Sequence, residues 1–302
     1  MKIVFFGTPE FAVASLQALV EHGFEVVAVV TSTDKFGGRG GKTLLESPVK
    51  KYASSQGIPV LQPDNLKSPE FLNQLESYHA DVQFVVAFRM LPVVVWDMPK
   101  LGTFNLHGSL LPKYRGAAPI NWAIINGEKE TGVTTFKLKH AIDTGDIALQ
   151  ATMPISEEDN AGTVHDKMMV LGANLIVQTA KALQNNTLTF TPQSDAKSCP
   201  APKLFHDNTK IDFNNLASEV YNFIRGLSPY PAAWTNFEGS EVKILKSKVV
   251  YEAAMDVMPG EIDITKKHFK IACADYWLEI LELKPEGKRQ MNVQDFLNGR
   301  QS

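Results

Sequence analysis

Residues 2–31 set the strongest constraint on the fold. Lys2–Phe6 is a short, nearly continuous apolar run, the pattern of a strand covered on both faces of a parallel sheet. Gly7-Thr8-Pro9-Glu10 follows and reads as a helix start, with Thr8 as N-cap and Pro9 in the first helical position. Phe11, Leu16, Leu19 and Val20 form an apolar stripe, His22-Gly23 closes the helix, and Val26–Thr31 is a second buried strand. Strand, helix and strand in this order make a βαβ unit, which implies a doubly wound α/β domain.

The alternation continues. Helices are expected at Ser47–Gln56, Pro69–Tyr78, Ala117–Asn126 and Thr163–Leu183, and strands at Val60–Leu61, Val82–Ala87, Thr103–Leu106, Val133–Leu138 and Ile147–Ile155. The texture changes at Thr191–Pro202, a polar, aperiodic stretch with three prolines that reads as a linker. Beyond it come one helix, Leu216–Leu227, and short strands at Ala233–Phe237, Val242–Tyr251, Gly260–Ile264, Phe269–Ala274 and Trp277–Glu282. So many short strands suggest a small barrel, of which the OB fold is one form. The expected domains are therefore 1–190 and 205–302, joined by a linker at 191–204.

Composition removes several classes. A chain of 302 residues suits about two domains, and its 44% hydrophobic and 21% charged content exclude collagen-like, coiled-coil and wholly disordered chains. Thirty Lys and Arg against 33 Asp and Glu give a net charge of −3, which argues against a uniformly basic coat for nucleic acid but leaves room for a local patch. The two cysteines, Cys199 and Cys273, are too few for a disulfide framework and read as inert core residues. Neither a secretory leader nor a membrane-spanning segment is expected, because the N-terminal residues run straight into strand-like sequence and no run of about 18 apolar residues occurs.

Open α/β sheets bind ligands at the carboxyl ends of their strands. Gly7-Thr8-Pro9 is not a GxGxxG turn, and Val30-Thr31-Ser32 offers no acidic residue for a ribose, so dinucleotide binding is disfavoured. The densest polar cluster is Asn105 to Pro119, after the strand ending at Leu106. Asn105 and His107 are two residues apart and project to one side of a strand; both can donate to a developing oxyanion, and His can also move a proton. The competing reading is a histidine that satisfies buried backbone at a strand end. Asp143-Thr144-Gly145-Asp146 reads either as turn chemistry or as the source of a carboxylate that orients His107 or accepts a proton. His107, Ser109 and Asp143 do not make a serine hydrolase, since no G-x-S-x-G elbow is present. Histidines and cysteines show no metal-ligand spacing, so no metal is expected. Between residues 34 and 51, Lys35, Arg39, Lys42, Lys50 and Lys51 outnumber Asp34 and Glu46, a surplus of +3 on a glycine-rich loop. That loop is either a hook for RNA phosphates or solvated surface.

The run His107–Pro119 closely resembles the formyltransferase signature with its S-L-L-P-x-x-R-G-x-x-P core. With Gly7–Ala12, Gly38-Arg39-Gly40, Asp143–Asp146, Arg225–Trp234 and Gly287–Met291, the chain is similar over essentially its whole length to the methionyl-tRNA formyltransferase family. The resemblance implies a Rossmann-like formyltransferase domain followed by a small OB-like C-terminal domain that binds tRNA. It implies transfer of a formyl group from 10-formyltetrahydrofolate to the α-amine of initiator methionyl-tRNA, by a cytoplasmic monomer without a metal. It maps catalysis onto Asn105, His107 and Asp143, folate binding onto Ser109, Leu110, Leu111, Pro112, Phe88 and Arg89, and tRNA contact onto Lys35, Arg39 and Lys42. The chain departs from the family where Phe88-Arg89-Met90-Leu91-Pro92 replaces the usual Tyr-Gly pair and a slightly longer loop. The segment 205–302 is not basic either, with 12 Lys and Arg against 14 Asp and Glu, so an RNA face there is a patch. The alternatives are a formyltransferase for a small amine such as glycinamide ribonucleotide or an amino sugar, a formylfolate hydrolase or folate-binding module, and a noncatalytic RNA-binding protein.

Overall fold

The computed structural model describes residues 1–37, 41, 43–254 and 257–300. The chain runs β1 (Lys2–Gly7), α1 (Glu10–Glu21), β2 (Glu25–Val30), β3 (Lys35–Gly37), β4 (Thr43–Leu45), α2 (Pro48–Ser55), β5 (Val60–Leu61), α3 (Pro69–Ser77), β6 (Val82–Val86), α4 (Val93–Trp96), β7 (Thr103–His107), β8 (Arg115–Gly116), α5 (Pro119–Ile125), β9 (Glu130–Lys137), β10 (Ile147–Pro154) and α6 (Ala161–Gln184). It continues through β11 (Pro200–Ala201), α7 (Ala217–Leu227), β12 (Ala233–Phe237), β13 (Ser240–Ala253), β14 (Ile262–Ile264), β15 (Phe269–Ala272), β16 (Tyr276–Pro285), β17 (Met291–Asn292) and α8 (Val293–Gly299). The residues gather into two compact units: 1–115, 132–153 and 165–200 in the first, 116–131, 154–164 and 201–302 in the second.

The first unit holds a seven-stranded sheet in the order β10-β9-β7-β6-β1-β2-β5. Strands β5, β2, β1, β6 and β7 are parallel, and β9 runs antiparallel to β7. The chain builds outward from β1 to β2 and β5, then returns to lay β6 on its other edge, so the topological switch point lies between β1 and β6. Strands β1 and β6 are apolar because helices cover both faces: Ile3 to Phe6 and Val82, Phe84 and Val86 are all 0% exposed. Helix α1 corrects the expected cap. Pro9, with ψ of 175°, occupies the N-cap position and the helix begins at Glu10, so Thr8 lies outside it and makes no cap bond. Helices α2 and α3 start as their sequences suggest, with Ser47 and Ser68 accepting from the third residue on and a proline behind each. The glycine-rich stretch is framed by a hairpin, Phe36 opposite Leu44, that pattern reading alone missed.

The second unit contains an antiparallel sheet in the order β12-β13-β16-β15-β14, with β17 paired to β16. The 14-residue β13 bends through three register shifts against β16, which curl the sheet around its core. Helix α7 buries Val220, Ile224 and Leu227 against Ile244, Phe269 and Leu278, and Leu297 of α8 joins them. Burial and the nearby Asp275 push the Cys273 thiol up to about 12, so it behaves as an apolar core residue. Among the described residues no helix is long and apolar enough to cross a membrane.

Candidate active site

β7 neighbours β6 and delivers two polar side chains at the carboxyl edge of the sheet. Leu106 between them packs toward α6, where a Cβ on Gly172 would lie 2.6 Å from its Cδ2. Asn105 and His107 therefore share the opposite face. Asn105 is half-buried, and its amide makes no hydrogen bond to another described residue, which leaves both of its N–H groups for a ligand. His107 is only 6% exposed, and its Nε2 lies 2.8 Å from the Tyr114 carbonyl oxygen. A ring nitrogen facing a carbonyl must carry its proton, so Nε2 is committed and Nδ1 is the working nitrogen. Nδ1 lies 3.8 Å from Asp143 Oδ2, too far for a direct hydrogen bond but within ion-pair range.

Asp143 reaches this position from a tight connection between β9 and β10. Its φ of +53° is a left-handed conformation that residues other than glycine rarely adopt. The turn behind it leaves no space for a side chain at Gly145, where a Cβ would stand 1.7 Å from the Lys137 carbonyl oxygen. Lys137 N–H donates to Asp146 O at 3.0 Å, and the Thr144 hydroxyl donates to Ala141 O at 2.9 Å, closing the turn on β9. Gln193, from the proline-rich stretch expected to be a linker, donates Nε2–H to the carbonyls of Asp143 and Gly145 at 2.9 and 2.7 Å.

The loop after His107 is held from inside by Thr134 of β9. Its hydroxyl donates to Ser109 O at 2.7 Å and accepts from Leu111 N–H at 3.1 Å and Gln150 Nε2 at 2.9 Å. Ser109 is fully buried and donates its own hydroxyl to Lys113 O at 2.6 Å, so that oxygen braces the loop and is unavailable as a nucleophile. Leu111 is 3% exposed, Leu110 and Pro112 are half-buried, and the peptide joining Leu111 to Pro112 is cis.

The loop following β6 engages Phe88 and Arg89 within the chain. Phe88 packs edge-on against Phe6 with ring centroids 5.6 Å apart. The Arg89 guanidinium donates to Asp64 O at 2.9 Å and to Pro63 O, and lies over the Phe88 ring. What this loop turns outward is the exposed backbone at Ala87, with φ of +48°, and the apolar side chains Met90, Val93 and Val94. Lys35 is exposed on β3, whereas Arg39 and Lys42 lie outside the described residues. Lys50 pairs with both Asp34 and Glu46, which lowers the Asp34 carboxyl and raises the ammonium, so both acids of this stretch are already matched. Among the described residues no group of three or more His, Cys, Asp or Glu could hold a metal ion.

Sequence reasoning brought Asn105, His107 and Asp143 forward but missed Tyr114, Thr134 and Gln193. Tyr114 acts through a backbone carbonyl, which carries no residue signature, although its own φ of +60° marks a special conformation. Thr134 is hidden inside a β-branched run that reads as ordinary strand, and Gln193 sits in a stretch without periodicity.

Comparison with known proteins finds relatives along the whole chain. Residues 1–180 match the family described as formyl transferase, and residues 203–301 match its C-terminal domain. The chain is 49% identical to the methionyl-tRNA formyltransferase of Bacteroides thetaiotaomicron and 50% identical to that of Parabacteroides distasonis, in each case over 99% of this chain and 95% of the relative. Among solved structures, an N-formyltransferase from Helicobacter canadensis in complex with folinic acid and dTDP-3-aminofucose superposes with a TM-score of 0.71 at 25% identity, covering 93% of this chain and 98% of that one. With both family domains present in order and half of its residues shared along almost its entire length, the chain belongs to the methionyl-tRNA formyltransferase family.

Proposed function

We propose that this protein transfers the formyl group of 10-formyltetrahydrofolate to the α-amine of methionyl initiator tRNA. The observation that carries this reading is the meeting of Asn105, His107 and Asp143 at the carboxyl edge of the sheet, beside the switch point, in a chain about half identical to methionyl-tRNA formyltransferases. The solved relative with folinic acid supports a formyl-folate donor.

The residues then divide the work. The free amine attacks the formyl carbon, and negative charge builds on the formyl oxygen. Asn105 Nδ2–H donates to that oxygen, and so does His107 Nδ1–H when the imidazole carries a proton on each nitrogen; the Nε2 bond to Tyr114 keeps the ring from turning away. Donors of this kind are worth about 3–4 kcal/mol each in the transition state. Asp143 accepts the proton shed by the amine as the new C–N bond forms, directly or through a water. The proton returns to the folate nitrogen as its bond to the formyl carbon breaks, so the exchange balances without an enzyme-bound formyl group. Ser109 through Pro112 shape the donor site by backbone and packing. Lys35, Arg39 and Lys42 contact tRNA phosphates, a role their surplus of charge supports. The same reading makes the protein a cytoplasmic monomer, which sedimentation checks.

A small-amine formyltransferase would share the catalytic groups, but the match to tRNA enzymes at about twice the identity of the sugar enzyme favours tRNA. The deciding assay supplies 10-formyltetrahydrofolate with charged initiator tRNA, free methionine, glycinamide ribonucleotide or buffer alone. Formylation confined to the charged tRNA is expected; equal consumption of the donor in buffer alone would refute transfer.

A further inference from the structure

We propose that Gln193 is a positioning residue for catalysis, and that the Arg115–Gln193 pair acts as one clamp that holds the Asp143 carboxylate opposite His107. The proposal rests on the role given to Asp143 above. The Gln193 amide uses its whole hydrogen-bonding capacity: Nε2 donates to Asp143 O and Gly145 O at 2.9 and 2.7 Å, and Oε1 accepts from Arg115 Nε and Nη2 at 3.0 and 2.9 Å. Its orientation follows from chemistry. Turned over, the amide would set an oxygen against two carbonyls and an NH2 group against a guanidinium.

Arg115 is itself fixed. Nη1 donates to Asp195 Oδ1 at 2.7 Å, and the Arg115 N–H donates to Cys199 O at 3.0 Å. Arg115 directly follows Tyr114, whose carbonyl receives His107 Nε2–H. The clamp thus joins the two backbone segments that set the imidazole and the carboxylate. Both segments are held in unfavourable conformations, φ +60° at Tyr114 and φ +53° at Asp143, and such conformations persist only where their surroundings hold them. The stretch 193–199, which looks like linker in sequence, supplies the holding groups.

Gln193→Glu tests the clamp. It keeps the shape and strengthens the bond to Arg115, but presents an acceptor to two carbonyls and pushes the Asp143 turn outward. Displacement of a reacting group by about 1 Å costs on the order of 100-fold in rate. The expected result is a fall in kcat of about that size, with KM for tRNA and for the formyl donor within about 3-fold of wild type and an unchanged melting temperature. The discriminating readout is a double-mutant cycle with Asp143→Asn: if Gln193 acts through Asp143, adding Gln193→Glu to Asp143→Asn costs less than about 3-fold more. Should Gln193→Glu melt early, the uncharged Gln193→Met carries the same cycle. Near-wild-type kcat in the Gln193 variants beside a crippled Asp143→Asn, or losses that simply multiply, would overturn the clamp alone. Wild-type turnover in Asp143→Asn would overturn the role of Asp143 as well, and the clamp with it.

Discussion

Replacing Thr134 with valine removes one oxygen and keeps the side-chain shape. The hydroxyl is fully buried and serves three partners: it donates to Ser109 O at 2.7 Å and accepts from Leu111 N–H at 3.1 Å and from Gln150 Nε2 at 2.9 Å. Gln150 retains the Leu111 carbonyl at 2.9 Å, so its loss is small. Ser109 O and Leu111 N–H lose the partner that the fold provides. A buried backbone group left unpaired costs about 1–3 kcal/mol, so two such groups cost roughly 2–6 kcal/mol, and the added methyl offsets less than about 1 kcal/mol of that. The net loss of about 2–5 kcal/mol is large against a total stability of about 5–15 kcal/mol. Thr134→Ser is the control. It keeps the hydroxyl, loses one methyl and is expected to cost about 1 kcal/mol. Native-state hydrogen exchange reads the difference locally, because the amides of β7 and β9 flank the substitution. At about tenfold per 1.4 kcal/mol, protection there falls about 30- to 4,000-fold in Thr134→Val and about fivefold in Thr134→Ser. If the valine variant protects these amides as well as the serine variant does, the hydroxyl is not what holds the loop, and the bracing assigned to Thr134 is wrong.

The remaining expectations concern the site and the surface. His107→Ala and Asn105→Ala each lose about 100- to 1,000-fold in kcat, while equilibrium binding of the formyl donor stays within about threefold; unchanged turnover removes that residue from the mechanism. Replacing Lys35, Arg39 and Lys42 together with alanine raises KM for tRNA and flattens its dependence on salt by about 0.7–0.9 in log–log slope per lost phosphate contact, leaving donor binding intact. A normal KM and slope would reduce the hairpin to solvated surface. In the second unit, the hydrogen bond from His206 Nε2 to Glu241 at 2.8 Å holds the imidazolium above its ordinary pKa. The bonus is therefore complete below about pH 6.5 and disappears as pH rises through the elevated value. Unfolding of wild type and Glu241→Gln across that window should show the difference shrinking toward high pH, and a difference constant with pH would contradict it.

How much of this was legible in sequence depends on where each residue's signal resides. The βαβ start and the helices that begin near Ser47 and Pro69 are encoded locally, as periodicity and turn chemistry within a few residues, and they appear within one or two positions of expectation. Thr8 failed as a cap because Pro9 remains extended, a backbone choice set by the strand-to-helix junction and not by the propensities of either residue. Asn105 and His107 were readable because both lie on one strand, where spacing dictates direction. Asp143 was not readable from spacing, since its approach to His107 depends on β9 running back antiparallel to β7 and on a turn that only Gly145 permits. Gln193 lies one step further from local reading. It is fifty residues from Asp143 and 78 from Arg115, and its side chain matters through bonds to main-chain carbonyls that any residue could supply. Polar, proline-bearing stretches look like linkers because they lack an apolar period, yet a missing period excludes only a buried regular element. Such a stretch can still be ordered by hydrogen bonds, and residues 193–199 are ordered in that way against the segments that carry Tyr114–Arg115 and Asp143.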